Sequence, residues 1–223
     1  GRHWQGRQGR QGRFQGLSNM AAWDIFMPLV RTGATDAPGP LVRQQLRLAA
    51  REFCKRTGAW VEWIDAATTL VPGVYTFTKP TDAELVRISG ATVAGRPIDL
   101  SLLAEYASDP VDNGANEAPA VSTGDLGTFM LTGAVTADPV KVKAILMPTI
   151  DAAACPDLLA ARYLECIAAG ARFGVLSTPG ASFANPDGAA LANTMFTSGI
   201  NKAITQVFRG NTTKTRRAPV RWC

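Results

Sequence analysis

The sequence predicts an α+β protein, a helical bundle interrupted by a small antiparallel β domain, with extended N- and C-terminal arms. Three observations carry that reading. Apolar residues recur at helical spacing over residues 40–57 and again after Asp157 and after Asn185. Alternating and β-branched residues fill the stretch between them. Both ends are basic and poor in large apolar residues. The 223 residues, 46% apolar and 18% charged, suffice for one substantial core or two small ones. The expected plan is a basic arm at 1–19, a bundle from 20–67 and 151–210, a β insertion at 68–150 and an anchoring arm at 211–223.

The formal net charge is +5, and its distribution says more than its size. Residues 1–19 carry +4 (Arg2, Arg7, Arg10, Arg13) and residues 211–223 another +4 (Lys214, Arg216, Arg217, Arg221), which leaves −3 for residues 20–210. Arms of one sign with little to bury cannot fold alone and gain order from a partner surface, either nucleic acid or an acidic protein groove. In the first arm, Gly-Arg-Gln triplets from Gly6 to Arg13 lie between Trp4 and Phe14; three triplets without proline are too few for a collagen helix. One reading is an arm that contacts nucleic acid and stacks its aromatics on bases. The other is a plain disordered arm, or sequence upstream of an ordinary start at Met20-Ala21-Ala22.

In the first long helix, Pro40 fits the opening turn, where its missing N–H costs nothing, and Val42, Leu46, Ala49 and Phe53 share a face before Gly58 stops the helix. Arg43, Arg47, Arg51 and Lys55 repeat every fourth residue on another face. Like charges at that spacing repel by a few tenths of a kcal/mol per pair, so either an anionic partner faces them or they form a solvated face beside Glu52. Beyond the stop, Trp60 and Trp63 are expected in the core.

Residues 71–75 read as a turn entering a strand and residues 85–93 as a strand, with Ala94-Gly95-Arg96-Pro97 breaking it before Ile98. Val140, Val142, Ala144 and Leu146 alternate with Lys141 and Lys143, the period of a half-buried strand. Residues 109–127, dense in Asp, Asn, Gly and Pro, are expected to form a long exposed loop. Asp157 opens a helix with Leu159, Tyr163, Ile167 and Gly170 on one face, and Gly170 and Gly174 predict a close helix contact. Asn185-Pro186-Asp187 gives three agreeing start signals for the last helix. Its apolar stripe is expected at Leu191, Met195, Ile200, Ala203, Ile204 and Val207, with Gly210 as its end.

Several chemistries find no support. His3, the only histidine, lies in the Gly/Arg arm, so histidine acid/base or nucleophilic catalysis has nothing held in place to work with. Cys54, Cys155, Cys166 and Cys223 include no CxxC pair, which predicts reduced thiols in a cytosol and neither a disulfide framework nor a zinc site. Residues 90–97 have phosphate-loop glycine spacing but lack the Lys-Ser/Thr, and Pro97 spoils the helix that should follow. Asp109, Asp112, Asn113 and Glu117 lack calcium-loop order, and the sequon at Asn211 has no secretory signal beside it. The apolar stretch 158–176 contains Arg162, Glu165 and Arg172, so no segment is expected to span a membrane. The expectation is a non-enzyme with no cofactor and no metal; an enzyme with a carboxylate or metal centre in the 109–127 loop is the least supported alternative.

The C-terminal arm is the most informative element. Its thirteen residues can extend to ~43 Å at ~3.3 Å each, enough to reach a neighbouring subunit. Lys214, Arg216, Arg217 and Arg221 supply charged and bidentate donors, while Pro219, Val220 and Trp222 supply an extended backbone and an aromatic to bury.

Taken in order, several segments resemble the head-to-tail adaptor, or connector, proteins of tailed bacteriophages over residues 23–210. They are the basic helix ending Phe53-Cys54-Lys55 before Trp60, Pro72-Gly73-Val74-Tyr75, Gly95-Arg96-Pro97-Ile98, Leu146-Met147-Pro148, Asp157-Leu158-Leu159 with Tyr163 and Gly170, and Ser182-Phe183-Ala184-Asn185-Pro186. The Gly/Arg arm has no counterpart in that pattern. The resemblance implies a virion protein at the head–tail junction, assembled in the host cytoplasm as a ring, commonly twelve copies, beneath the portal protein. Its C-terminal arm would dock into the portal, and tail or nozzle proteins would bind the ring. Genomic double-stranded DNA would pass through the channel, where a mildly acidic body does not trap a polyanion. Arg43, Arg47, Arg51 and Lys55 would then face a neighbouring subunit or the DNA, meeting carboxylates more often than phosphates. The rival expectation is a nucleic-acid-binding module that uses its basic arms.

Overall fold

The computed structural model describes residues 20–68, 74–98, 120–125, 128–132 and 139–209. Strand β1 (Met20–Ala22) leads through a 3-10 turn (Trp23–Phe26) into a short helix α1 (Met27–Arg31) and the long helix α2 (Gly39–Thr57). Strands β2 (Val61–Thr68), β3 (Val74–Phe77), β4 (Ala83–Val93), β5 (Arg96–Ile98), β6 (Ala120–Asp125), β7 (Thr128–Thr132) and β8 (Val140–Pro148) follow. Strand β9 (Ala154–Pro156) pairs with β1 and opens into α3 (Asp157–Leu176), and α4 (Pro186–Phe208) is the last described helix.

Helix α2 forms as its sequence dictates. Val42, Leu46, Ala49 and Phe53 are buried, and Gly58, at φ 62, takes the left-handed stop and donates its N–H to the Cys54 carbonyl at 2.8 Å. Phe53 packs on Tyr163 of α3 with ring centroids 4.8 Å apart. At the start of α4, Asn185 Oδ1 accepts the Gly188 N–H at 3.0 Å, satisfying one of the amides that a helix start leaves over.

Strands β2 to β8 form one antiparallel sheet in the order β5-β4-β8-β2-β3-β7-β6. Val140, Val142, Ala144 and Leu146 of β8 point to the buried side, as their alternation requires. The apolar core is continuous across both layers: Leu46 and Phe53 of α2, Leu159 and Ile167 of α3 and Ile200 of α4 share it with Leu85, Leu146 and Tyr75 of the sheet. Trp23 is fixed at its edge, donating Nε1–H to the Ala152 carbonyl at 2.9 Å.

Five expectations need correction. The sheet begins at Val61, inside the segment assigned to the bundle, because residues 60–68 alternate with a period of two. That period sends residues three apart to opposite faces, so Trp60 is buried while Trp63 is 53% exposed, opposite Lys143 of β8. Arg96 and Pro97 do not break the sheet: only Ala94 and Gly95 turn, at φ 48 and 78, and Arg96–Ile98 pairs back on β4 as a hairpin. Residues 120–125 of the expected loop form β6, while residues 109–119 and 126–127 lie outside the described residues.

The fifth correction concerns α4. Its buried row is Ala189, Ala192, Phe196, Ile200 and Ala203, whereas Leu191, Met195 and Ile204 are exposed and Val207 is half-buried. Size misled the expectation. Gly170 draws α3 so close to α4 that the buried row is mostly alanine beside Phe196 and Ile200, leaving Leu191, Met195 and Ile204 on the flanks.

Candidate functional site

The cationic row of α2 is the part of the candidate site that the described residues include. Regular spacing places Arg43, Arg47, Arg51 and Lys55 along one side over about three turns, yet the structure gives them different surroundings. Arg51, near the middle of the helix, donates from Nη1 and Nη2 to the two carboxylate oxygens of Glu84 on β4 at 2.9 and 2.8 Å. Its Nη1 also donates to the Pro148 carbonyl at the end of β8 at 2.7 Å. This bidentate contact holds the Glu84 carboxyl below the usual carboxylate range and raises the guanidinium further above its ordinary value.

Arg43 is more open. Its Nε and Nη2 both donate to Asp24 Oδ1, at 3.1 and 2.9 Å, and both side chains keep about half or more of their surface in solvent. Water and salt weaken such a pair. Arg47 is half-buried, and its Nε is enclosed without a hydrogen-bond partner among the described residues. Lys55 stands exposed beside Arg56, whose Nε lies 4.0 Å from Glu52. The row is therefore not one open cationic face. Two of its members hold carboxylates of the same chain, and Lys55 and the outer side of Arg43 remain open to solvent.

Sequence reasoning supplied the arginines and missed Asp24, an acid isolated in an apolar segment, and Glu84, which stands at the start of a strand two residues after Asp82. The arm residues Lys214, Arg216, Arg217, Pro219, Val220, Arg221 and Trp222 lie outside the described residues.

Elsewhere the chemistry is quiet. Cys54 and Cys155 are buried free thiols; burial pushes Cys54 well up and Cys155 to about 12, and half-buried Cys166 is raised to about 11. Such thiols are poor nucleophiles and poor metal ligands. Among the described residues no group of three His, Cys, Asp or Glu gathers to hold a metal, and no helix is long and apolar enough to cross a membrane. The segment 90–97, with its phosphate-loop spacing, is the end of β4, a two-residue turn and the start of β5. Between α3 and α4 runs an open groove of about 730 Å³, lined by Arg162, Glu165, Cys166, Met195, Gly199 and Lys202 among others.

A family model described as the SU10 adaptor protein matches residues 20–222, nearly the whole chain. The chain belongs to the SU10 adaptor family. It is a phage head–tail adaptor protein, and membership implies association with other head and tail proteins at the head–tail junction of the virion. The match takes in the basic C-terminal arm and leaves the Gly/Arg arm at 1–19 outside. Comparison with curated proteins finds no match to the chain.

Proposed function

We propose that this adaptor assembles as a ring of identical copies, a dodecamer, beneath the portal protein. The ring extends the conduit for genomic double-stranded DNA and offers its far side to tail or nozzle proteins. The observation that carries this reading is that the SU10 adaptor match continues through residue 222, so the basic arm falls within the family pattern. Lys214, Arg216, Arg217 and Arg221 then make charge-assisted contacts with the portal, and Pro219, Val220 and Trp222 present an extended strand with an aromatic anchor.

Within the α2 row, Arg43 and Arg51 already hold carboxylates of their own chain, so Lys55 and Arg47 are the members we assign to a neighbouring subunit or to the duplex. A body charge of −3 suits a conduit, because affinity for DNA grows with every phosphate neutralised and a translocating duplex must not be held.

Mass photometry and cryo-EM of the chain mixed with a portal test the reading. A closed ring on the portal that requires residues 211–223 supports it. A monomer that shifts duplex DNA, with affinity falling steeply as salt rises, overturns it in favour of a nucleic-acid-binding module.

A further inference from the structure

Helix α4 exposes four large apolar side chains: Leu191 (64%), Met195 (49%), Ile204 (40%) and Phe208 (90%). They are not one patch. At about 100° per residue, Leu191 and Met195 lie on one flank of the helix, and Ile204 and Phe208 on another about 140° away. Between the flanks, on the side turned from the core, run Thr194, Ser198, Asn201 and Thr205, all exposed and uncharged. The hydroxyls of Thr194 and Thr205 already donate to carbonyls one turn back, those of Ala190 and Asn201, both at 3.0 Å, so this strip asks little of a partner.

The flanks differ in shape as well as position. Met195 borders the α3–α4 groove, whose lining includes the small residues Ala161, Ala169, Gly199 and Ala203. Phe208 projects at the far end of α4. One flank is concave and the other convex.

We propose that the two flanks of α4 are the two halves of a head-to-tail contact between copies of this chain, with the Ile204–Phe208 edge of one copy seated in the α3–α4 groove beside Met195 of the next. This inference rests on the ring reading above. A single foreign partner laid on one flank leaves the other bare, whereas an identical copy covers both, because heterologous association joins two different surfaces of the same molecule and closes into a ring when the rotation permits. In such a contact each copy gives one flank, so the four side chains together expose on the order of 450 Å² of mostly apolar surface at one interface, taking large side chains as ~150–250 Å² each; that is about a quarter of the ~1,600 Å² that both partners of a standard interface bury, an apolar centre to which the groove walls add. The basic C-terminal arm is a poorer occupant, since the groove holds Arg162 and Lys202 against the single acid Glu165. Its own cations are repelled there.

The test uses the full chain with and without portal, carrying Phe208→Glu or Met195→Glu. Both side chains are exposed, so both variants are expected to fold, which circular dichroism and thermal melting check. Each alone is expected to lose self-association by about tenfold or more and to form no ring. Mixed, the two are expected to give heterodimers and nothing larger, because each retains the half the other lacks. Wild-type rings together with unaffected variants overturn the flank assignment while leaving the ring reading intact. Variants that each still form homodimers overturn the head-to-tail arrangement, and a wild-type chain that stays monomeric with and without portal overturns both the inference and the ring reading.

Discussion

The ring of Phe196 on α4 occupies the space that a side chain at Gly170 on α3 would need. A Cβ at Gly170 would stand 2.8 Å from two ring carbons of Phe196 and 3.0 Å from the Cβ of Ala49 on α2. Three helices meet at this position, and the missing side chain sets how closely they approach.

Gly170→Ala is therefore expected to destabilise the protein, although alanine is the better helix former by ~1 kcal/mol. Overpacking a close seam costs ~1–3 kcal/mol, so after the propensity gain the net loss is expected at up to about 2 kcal/mol. Chemical denaturation reads it directly as a lowered midpoint at unchanged slope. A midpoint at or above wild type would show that the seam can open freely.

The clamp of Arg51 on Glu84 and the Pro148 carbonyl makes a second prediction. Arg51→Met leaves the carboxylate and the carbonyl without these donors, and the part-exposed setting limits the cost to about 1–2 kcal/mol. The pair also gives stability a pH dependence. Because the folded carboxyl of Glu84 titrates below its ordinary value near 4.5, the benefit is full above that value and fades as acid protonates the folded form. Stability curves from about pH 5 down to pH 3 are expected to fall less steeply in Glu84→Gln than in wild type. Equal slopes would remove the clamp from the acid response.

Thiol accessibility is a third check. In a Cys223→Ser background, Cys54 and Cys155 are expected to resist a disulfide reagent at about pH 8 in the native protein and to react once it is unfolded, with Cys166 slow, because burial keeps all three protonated. Fast native labelling of Cys54 would mean that the contact between α2 and α3 opens readily.

Truncation after Gly210 separates folding from attachment. Residues 211–223 hold only Val220 and Trp222 as large apolar side chains, so the melting temperature is expected to match wild type while association with the portal is lost. Retained docking would move the attachment site to the body of the protein.

What local chemistry determines was legible in the sequence. Helix α2 was bounded by Pro40 and Gly58, β8 by its strict alternation, and the start of α4 by Asn185-Pro186-Asp187. What depends on distant neighbours was not. Asp24 and Glu84 stand 19 and 33 residues from the arginines they hold, and no period in the chain joins them. Trp63 was misplaced because a spacing of three means one face in a helix and two in a strand. On α4 the buried row could not be read without knowing that Gly170 faces it, since only that closeness makes small residues the better fit. The adaptor family was recognisable from an ordered series of weak motifs, none of which identifies it alone.

One guanidinium spans the two layers. Through Arg51 the long first helix is fastened to the second residue of β4 and to the last residue of β8. To swivel the sheet against the helices, three bonds must give way at once. A tug delivered to one layer therefore meets these three bonds, as well as the apolar core the layers share, before the two can slide apart.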